Sequence, residues 1–335
     1  MAAMSDLRNQ IFHGDCVAIL QEAAEPFADL VFADPPFNIG YKYDKYHDKK
    51  ASADYLAWTK EWIGACVGVL KPHGSFYIAI GDEYVADIKL IADGCGLVMR
   101  NWIIWHYSFG QQMKTKFARA HTHILYFVKN PKNFTFNDEM VRVISDRQKK
   151  YADKRANPAG KMPDDVWNEY PRICGTFVER TGFPCQMPES LLARIVRVSS
   201  NEGDWVLDPF CGSGTTATVA HKLNRQYTSI DLSQQYVEAA RERIGASEGL
   251  PVEGEGQSEW PEHAEAELCW LYSENKVPYR QLCGSPKLLS LLTAKLNDRL
   301  RKTVHYAPDE VLERLGRLEH SAKLSAQLSD RVNSI

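Results

Sequence analysis

Twice in this chain an apolar run of strand type breaks directly into a stiff turn headed by an acid. Leu30 to Ala33 runs into Asp34-Pro35-Pro36-Phe37, and Val206-Leu207 runs into Asp208-Pro209-Phe210-Cys211-Gly212-Ser213-Gly214-Thr215-Thr216. The stretches around these turns keep the same rhythm. An amphipathic run from Tyr55 to Leu70 is followed by apolar runs at Ser75 to Ile80, Asn101 to His106 and Ile124 to Val128. Later come a strand at Trp205 to Leu207, a helix after Thr215, a strand at Tyr227 to Ile230 and a helix from Ser233 to about Ile244. Each short run alone also suits a buried helix, but punctuation such as Lys71-Pro72-His73-Gly74 before Phe76 favours strands. Alternating strand and helix predicts βαβ units and an α/β fold with a mostly parallel sheet.

The first turn has the properties of an acceptor site for an amine. Consecutive prolines lack N–H donors and have fixed φ, so they hold the Asp34 carboxylate and the neighbouring carbonyls rigidly at a strand's C-terminal end. An aromatic amine is a poor nucleophile because its lone pair is delocalised into the ring. Accepting its two hydrogens, by Asp34 and the Pro35 carbonyl, favours a pyramidal nitrogen with a localised pair. Phe37 offers a face on which an extruded base can stack. The same tetrapeptide also fits a rigid loop with a helix-capping Asp.

In the second turn Gly212 and Gly214 allow close backbone approach to a ligand, but threonines stand where the dinucleotide fingerprint has its third glycine. Asp231 ends the next strand, where a carboxylate accepts hydrogen bonds from ribose hydroxyls. The combination points to a nucleoside without a pyrophosphate, with an ordinary βα turn as the alternative. Cys211 has no neighbouring base in the sequence to activate it and reads as a packing residue.

Composition removes several other classes. The 335 residues are 44% hydrophobic and 25% charged, and no apolar run approaches a membrane span. The N-terminus lacks a secretory pattern, so a cytoplasmic location is expected. Eight cysteines without a CxxC pair argue against a disulfide framework or a structural metal site. His121 and His123 share one strand face, but with no carboxylate or Cys nearby in sequence they read as structural rather than metal-binding, and no metal is expected.

A net charge of −3 means that any nucleic-acid surface is local. Such a region is found within 111–170: Lys114, Lys116, Arg119, Arg147, Lys149, Lys150, Lys154 and Arg155 are the candidate DNA-binding residues, with a solvated loop face as the bland reading. Gly245 to Glu262 reads as a linker, and 263–330 as a helical accessory domain. Within that domain Lys287 to Leu300, with Lys295, Arg299, Arg301 and Lys302, suits either a helix-turn-helix on DNA or a small bundle packed on the rest of the chain.

With both turns read, the chain over residues 8 to 244 resembles the β-class amino DNA methyltransferases. Asp34-Pro35-Pro36-Phe37 matches that family's catalytic D-P-P-Y/F, and Asp208 to Thr215 matches its cofactor motif D-P-F-x-G-S-G-T. Catalytic motif before cofactor motif is the β-class order. The resemblance implies a Rossmann-like fold dependent on S-adenosylmethionine, and direct methyl transfer to an exocyclic base nitrogen in duplex DNA. Asp34, Pro35, Pro36 and Phe37 are the implied catalytic residues. Asp15, Cys16, Asp34, Gln186, Asp208, Phe210, Gly212, Ser213, Gly214, Thr215 and Asp231 are those implied at the cofactor. The family's H-P-T-Q-K-P element is Phe183-Pro184-Cys185-Gln186-Met187-Pro188 here, so of its side chains only the Gln and the prolines are kept. Adenine N6 is the expected target, because N4-cytosine members usually carry Ser where Asp34 stands. N4-cytosine, an RNA base, a protein glutamine and an inactive DNA-binding module are the rivals. A homodimer, a cognate restriction endonuclease and nucleoid association through DNA are compatible with the resemblance.

Overall fold

The structure, a computed structural model, describes residues 7–111, 114–151, 153, 155–173, 180–183, 185–248, 260–300 and 305–320. From the N-terminus, β1 (Gln10–His13) leads through α1 (Cys16–Gln21), β2 (Ala28–Ala33), α2 (Ser52–Val69), β3 (Leu70–Ile80) and α3 (Val85–Gly94) to β4 (Val98–Gln111) and β5 (Arg119–Val128). There follow α4 (Asp146–Tyr151), β6 (Val166–Trp167), α5 (Glu189–Ser199), β7 (Trp205–Asp208), α6 (Thr215–Lys222), β8 (Gln226–Asp231) and α7 (Gln234–Glu248). The last four helices are α8 (Glu262–Asn275), α9 (Tyr279–Cys283), α10 (Pro286–Arg299) and α11 (Pro308–His320).

The eight strands form one sheet in the order β1-β8-β7-β2-β3-β5-β4-β6. The first five in that order run parallel, β5 is antiparallel to both its neighbours, and β6 pairs parallel with β4. β2 is buried at all of its positions, as a strand covered by helices on both faces must be. Its alternation divides the core: Leu30 and Phe32 face α5, α6 and α7, whereas Val31 and Ala33 face α1, α2 and α3. In α2 the buried Tyr55, Thr59, Trp62, Ile63, Cys66 and Val69 recur at helical spacing, which turns one stripe to the sheet. At the end of the sheet away from the two turns, buried Asp29 accepts from the Trp205 amide (2.8 Å), Lys71 Nζ (2.8 Å) and His73 Nε2 (2.9 Å), tying β2, β3 and β7 together. Among the described residues no helix is long and apolar enough to cross a membrane.

The sequence-based boundaries shift at the C-terminal side. α7 continues to Glu248, past the expected end near Ile244; most of the expected linker (249–259), and 321–330 of the accessory region, lie outside the described residues. α8 to α11 share their own apolar cluster, centred on Leu268, Leu271, Leu292, Leu296 and Leu315, with Ile144 packed into it. Two cations of α10 that a helix-turn-helix would turn to DNA point inward, as the bundle alternative requires. Lys295 Nζ donates to the carbonyls of Arg142 (3.1 Å) and Ala159 (2.7 Å), and Arg299 pairs with buried Glu274 at 2.5 Å. Arg301 and Lys302 lie outside the described residues.

Candidate active site

Strand pairing brings the two acid-headed turns together. β2 and β7 are neighbours with Val31 opposite Leu207, so both turns leave the same sheet edge from adjacent strands, about 5 Å apart. On the far side of β7, Asp208 pairs with Ser229 of β8, and His13 of β1 pairs with Asp231. Four parallel strands therefore deliver Gly14, Asp34, Asp208 and Asp231 to one crevice at their carboxyl ends, where open α/β sheets bind ligands.

The crevice is a cavity of about 270 Å³. Asp34, Pro36 and Phe37 line it, as do Asp15, Cys16, Gln186, Asp208, Phe210, Gly212, Ser213, Thr215 and Asp231. Pro35 and Gly214 are the two assigned residues that do not. Gly214 earns its place elsewhere: with φ at +74° it caps α6, and a Cβ there would stand 2.7 Å from the Ala240 Cβ of α7. Its lack of a side chain serves helix packing. Gly212, with φ at +49°, does face the cavity, and a Cβ there would lie 2.8 Å from the Phe183 ring.

Hydrogen bonds fix most of the acids. Asp15 caps α1 by accepting from the Ala18 amide at 3.0 Å. Asp231 accepts from the Gly212 amide through one oxygen and from the Ser233 amide through the other, both at 2.8 Å, which leaves a lone pair on each oxygen for a ligand. Asp208 accepts from the Phe210 amide at 2.9 Å. The Gln186 side-chain carbonyl holds the Thr181 amide (2.9 Å) and hydroxyl (3.0 Å), so this side chain shapes its own loop.

Burial raises the Asp34 carboxyl to about 8, with a further push from Asp208, and raises Asp208 itself to about 7. Burial likewise raises Asp231, pushes Cys16 up to about 12 and holds Cys211 well above the ordinary thiol range. A thiol so raised is no nucleophile, in keeping with a packing role for Cys211.

The turn after Phe37 is built by a residue that sequence reading missed. Asp48 accepts from the amides of Asn38 (2.7 Å), Ile39 (3.2 Å) and Tyr41 (2.8 Å), while its own carbonyl accepts from Gly40. Tyr55 donates its hydroxyl to the Pro36 carbonyl at 2.8 Å, which fixes the proline turn from α2. Phe37 packs against Gly81, where a Cβ would approach its ring to 3.2 Å. Beyond it Tyr41, Tyr43 and Tyr46 line the cavity, and ring contacts run from Tyr41 through Tyr43, Tyr46 and Trp58 to Phe210. The tyrosine spacing in Tyr41-Lys42-Tyr43-Asp44-Lys45-Tyr46 was a readable signal; Tyr107 and Arg172, also lining residues, had none.

The basic candidates divide into two places. Arg119 lines the cavity and pairs with Asp82 at 3.1 Å, and Lys114 and Lys116 stand exposed on the β4–β5 connection. Farther along, Lys150 pairs with Asp146 (3.5 Å) and Arg155 with Asp153 (3.1 Å). Burial lowers Lys149, Arg147 lines a shallow hollow with Arg142, Arg155 and Lys161, and Lys154 lies outside the described residues. Asp82 also supplies the carboxylate that sequence reading did not find beside His121 and His123. It arrives from the loop after β3, because β3 and β5 are antiparallel and Ile80 pairs with His123. Arg119 already engages that carboxylate, and the Trp102 indole donates to His123 Nδ1 at 3.0 Å.

Comparison with known proteins agrees with this geometry. Residues 28–242 match the family described as DNA methylase. The Type II methyltransferase M.HpaI of Haemophilus parainfluenzae is 38% identical over 231 residues, 69% of this chain and 72% of the relative. The DNA adenine methyltransferase YhdJ of Escherichia coli K12 is 36% identical over 251 residues, 72% of this chain and 85% of the relative. Among solved structures, an M1.HpyAVI–SAM complex superposes with a TM-score of 0.51 at 23% identity, covering 70% of this chain and 98% of the other. The cytosine-N4-specific PvuII DNA methyltransferase gives 0.54 at 17% identity, covering 79% and 92%. At these identities the two structures speak for the fold alone.

Proposed function

The chain belongs to the family of N6-adenine and N4-cytosine DNA methylases, and from that premise we propose that it methylates the N6 amine of adenine in duplex DNA, using S-adenosylmethionine as donor. The observation that carries this reading is the meeting of the Asp34 and Asp208 turns, from adjacent parallel strands, in one cavity. Adenine is preferred to cytosine because the Escherichia coli relative is named an adenine methyltransferase, whereas the cytosine-specific neighbour shares only the fold.

The residues suit the cofactor. Among the described residues no cation pairs with Asp34 or Asp208, which leaves both carboxylates open to a cationic ligand. Asp231 keeps one lone pair on each oxygen for the two hydroxyls of a ribose. Asp208 and Phe210 would take the amino-acid end, and Asp15 and Cys16 the adenine end. The bound cofactor supplies an electrophilic sulfonium methyl. The chain's own part is positioning and proton handling. Asp34 and the Pro35 carbonyl accept the two amine hydrogens and localise the nitrogen lone pair, while Phe37 stacks the extruded base. When the new N–C bond forms, the nitrogen must lose a proton, and Asp34 is placed to receive it. A carboxyl raised toward neutral pH is matched to that transfer.

Single-molecule sequencing of DNA from cells expressing the chain tests the reading. N6-methyladenine in one sequence context, lost with Asp34→Ala, is expected; methylcytosine would transfer the proposal to N4 chemistry, and unmodified DNA would reject it.

The raised carboxyl sets a pH dependence. Asp34 can take up the amine's proton only when ionised, so with the free enzyme kcat/KM for the cofactor rises with pH and levels above about 8. Asp208→Asn removes the like charge beside Asp34 and moves the limb to lower pH. Initial rates between pH 6 and 9.5 at subsaturating cofactor measure both, and a limb that stays in place in the variant would detach Asp208 from Asp34.

A further inference from the structure

We propose that Phe117 is a wedge that enters the base stack of duplex DNA where the target base has been swung out. The inference rests on the DNA-methylating reading above. Phe117 is 99% exposed, far more than the next large apolar side chains, Tyr151 at 75% and Leu90 at 65%. None of the three apolar clusters includes it, so the fold gives no reason for an aromatic ring at this position.

Its setting supplies one. The β4–β5 connection emerges beyond the Gln111–Arg119 pair, and Arg119 and His121, at the start of β5, line the same cavity as Asp34. Phe117 lies two residues before Arg119, about 7 Å of extended chain from the cavity wall. Lys114 and Lys116 precede it in the chain, both exposed, and among the described residues neither meets a carboxylate. An exposed ring next to two unneutralised cations, on a hairpin beside a cavity with its own base-stacking residue, matches a duplex better than a protein surface. The lysines suit phosphates and the ring suits an unstacked gap. Phe37 is not available for this task, because it sits inside the cavity against Gly81.

Extruding a base forfeits its stacking, and an aromatic side chain in the gap restores one stacking contact. That contribution is needed only when the target starts out stacked and paired. The test uses a duplex oligonucleotide carrying the sequence found to be modified, with the target adenine opposite either thymine or an abasic site. Phe117→Ala is expected to lower kcat/KM roughly 10- to 100-fold on the paired duplex, the range of a single base-stacking contact. Opposite the abasic site it should match the parent enzyme, Phe117→Trp should restore the paired duplex, and calorimetric titration with S-adenosylmethionine should be unchanged in both variants. Equal loss on both duplexes, or loss on neither, would overturn the wedge while leaving the methylating reading intact. Failure of the parent enzyme on both duplexes would remove the reading itself, and the wedge with it.

Discussion

Asp34→Ala is expected to reduce the rate of methyl transfer by at least 10²- to 10³-fold, the usual loss when a positioned hydrogen-bonding group is removed from a reacting centre. Calorimetric titration should still show S-adenosylmethionine binding, weakened by the loss of one of the two carboxylates open to the cation, and the secondary structure should survive. The side chain stands at the end of a strand whose residues are all buried and which pairs with β3 and β7 on either side, so its removal leaves β2 in place. Asp34→Asn separates charge from shape: it keeps the outline of the side chain but presents one acceptor and an NH₂ group, which opposes an incoming amine. Its rate should fall nearly as far as that of the alanine variant.

Stability should move the other way. Burial raises the Asp34 carboxyl from an ordinary 3.8 to about 8, so the folded chain holds this proton more tightly than the unfolded chain does. The unfolded carboxyl ionises near pH 4 and the folded one near pH 8, so ionisation destabilises the fold progressively between those values and fully above them. Asparagine is neutral throughout. The variant should therefore unfold at the same denaturant concentration as the parent near pH 4, and at a higher one at pH 8.5. Lost activity with gained stability marks a residue kept for chemistry at a cost to the fold; a variant less stable at pH 8.5 would make Asp34 structural.

The two acid-headed turns were legible in the sequence because their signals are local: an apolar run, a proline or glycine turn, an acid at the junction. β2, α2, β3, β5, β7, α6, β8 and α10 all fall where periodicity and punctuation put them, within a few residues at their ends. What could not be read depends on pairing across the chain. Asp48 organises the turn after Phe37 only because the loop from Asn38 to Lys50 folds back on itself, and its spacing from Asp34 matches no pattern. Asp82 meets His121 and His123 only because β3 and β5 run antiparallel. The basic stretch read as a patch because charge was counted along the chain, whereas Arg142, Lys150, Arg155 and Lys161 each find an acid within four residues. Gly214 was visible as a glycine, but its partner Ala240 is on another helix.

The accessory helices follow the same rule, and their attachment yields the second large effect. Glu274→Ala is expected to cost about 3–5 kcal/mol of stability, the penalty for leaving buried charges without a partner. Glu274 on α8 is fully buried; it pairs with Arg299 of α10 at 2.5 Å, faces Arg194 of α5 at 3.8 Å and accepts from the Tyr170 hydroxyl at 3.1 Å. Burial alone would raise its carboxyl, but Arg299, Arg194 and Arg197 outweigh burial and hold it below the usual carboxylate range. Arg197 joins the same network through Glu267, also on α8, at 3.0 Å. A solvent-facing DNA reader would not bury this much charge against its neighbour. The network makes α8 and α10 a brace for α5, which covers the face of the sheet that Leu30 and Phe32 turn to, and it reaches the cavity wall. The Tyr170 carbonyl accepts from the Trp105 indole at 2.8 Å, and Trp105 lines the cavity. Urea unfolding followed by tryptophan fluorescence and by circular dichroism should therefore give one coincident transition in the parent, shifted to lower urea in the variant. A separate early transition of the helices, with the sheet unaffected by the substitution, would show that the accessory region folds on its own and that the buried arginines do not join it to the catalytic sheet.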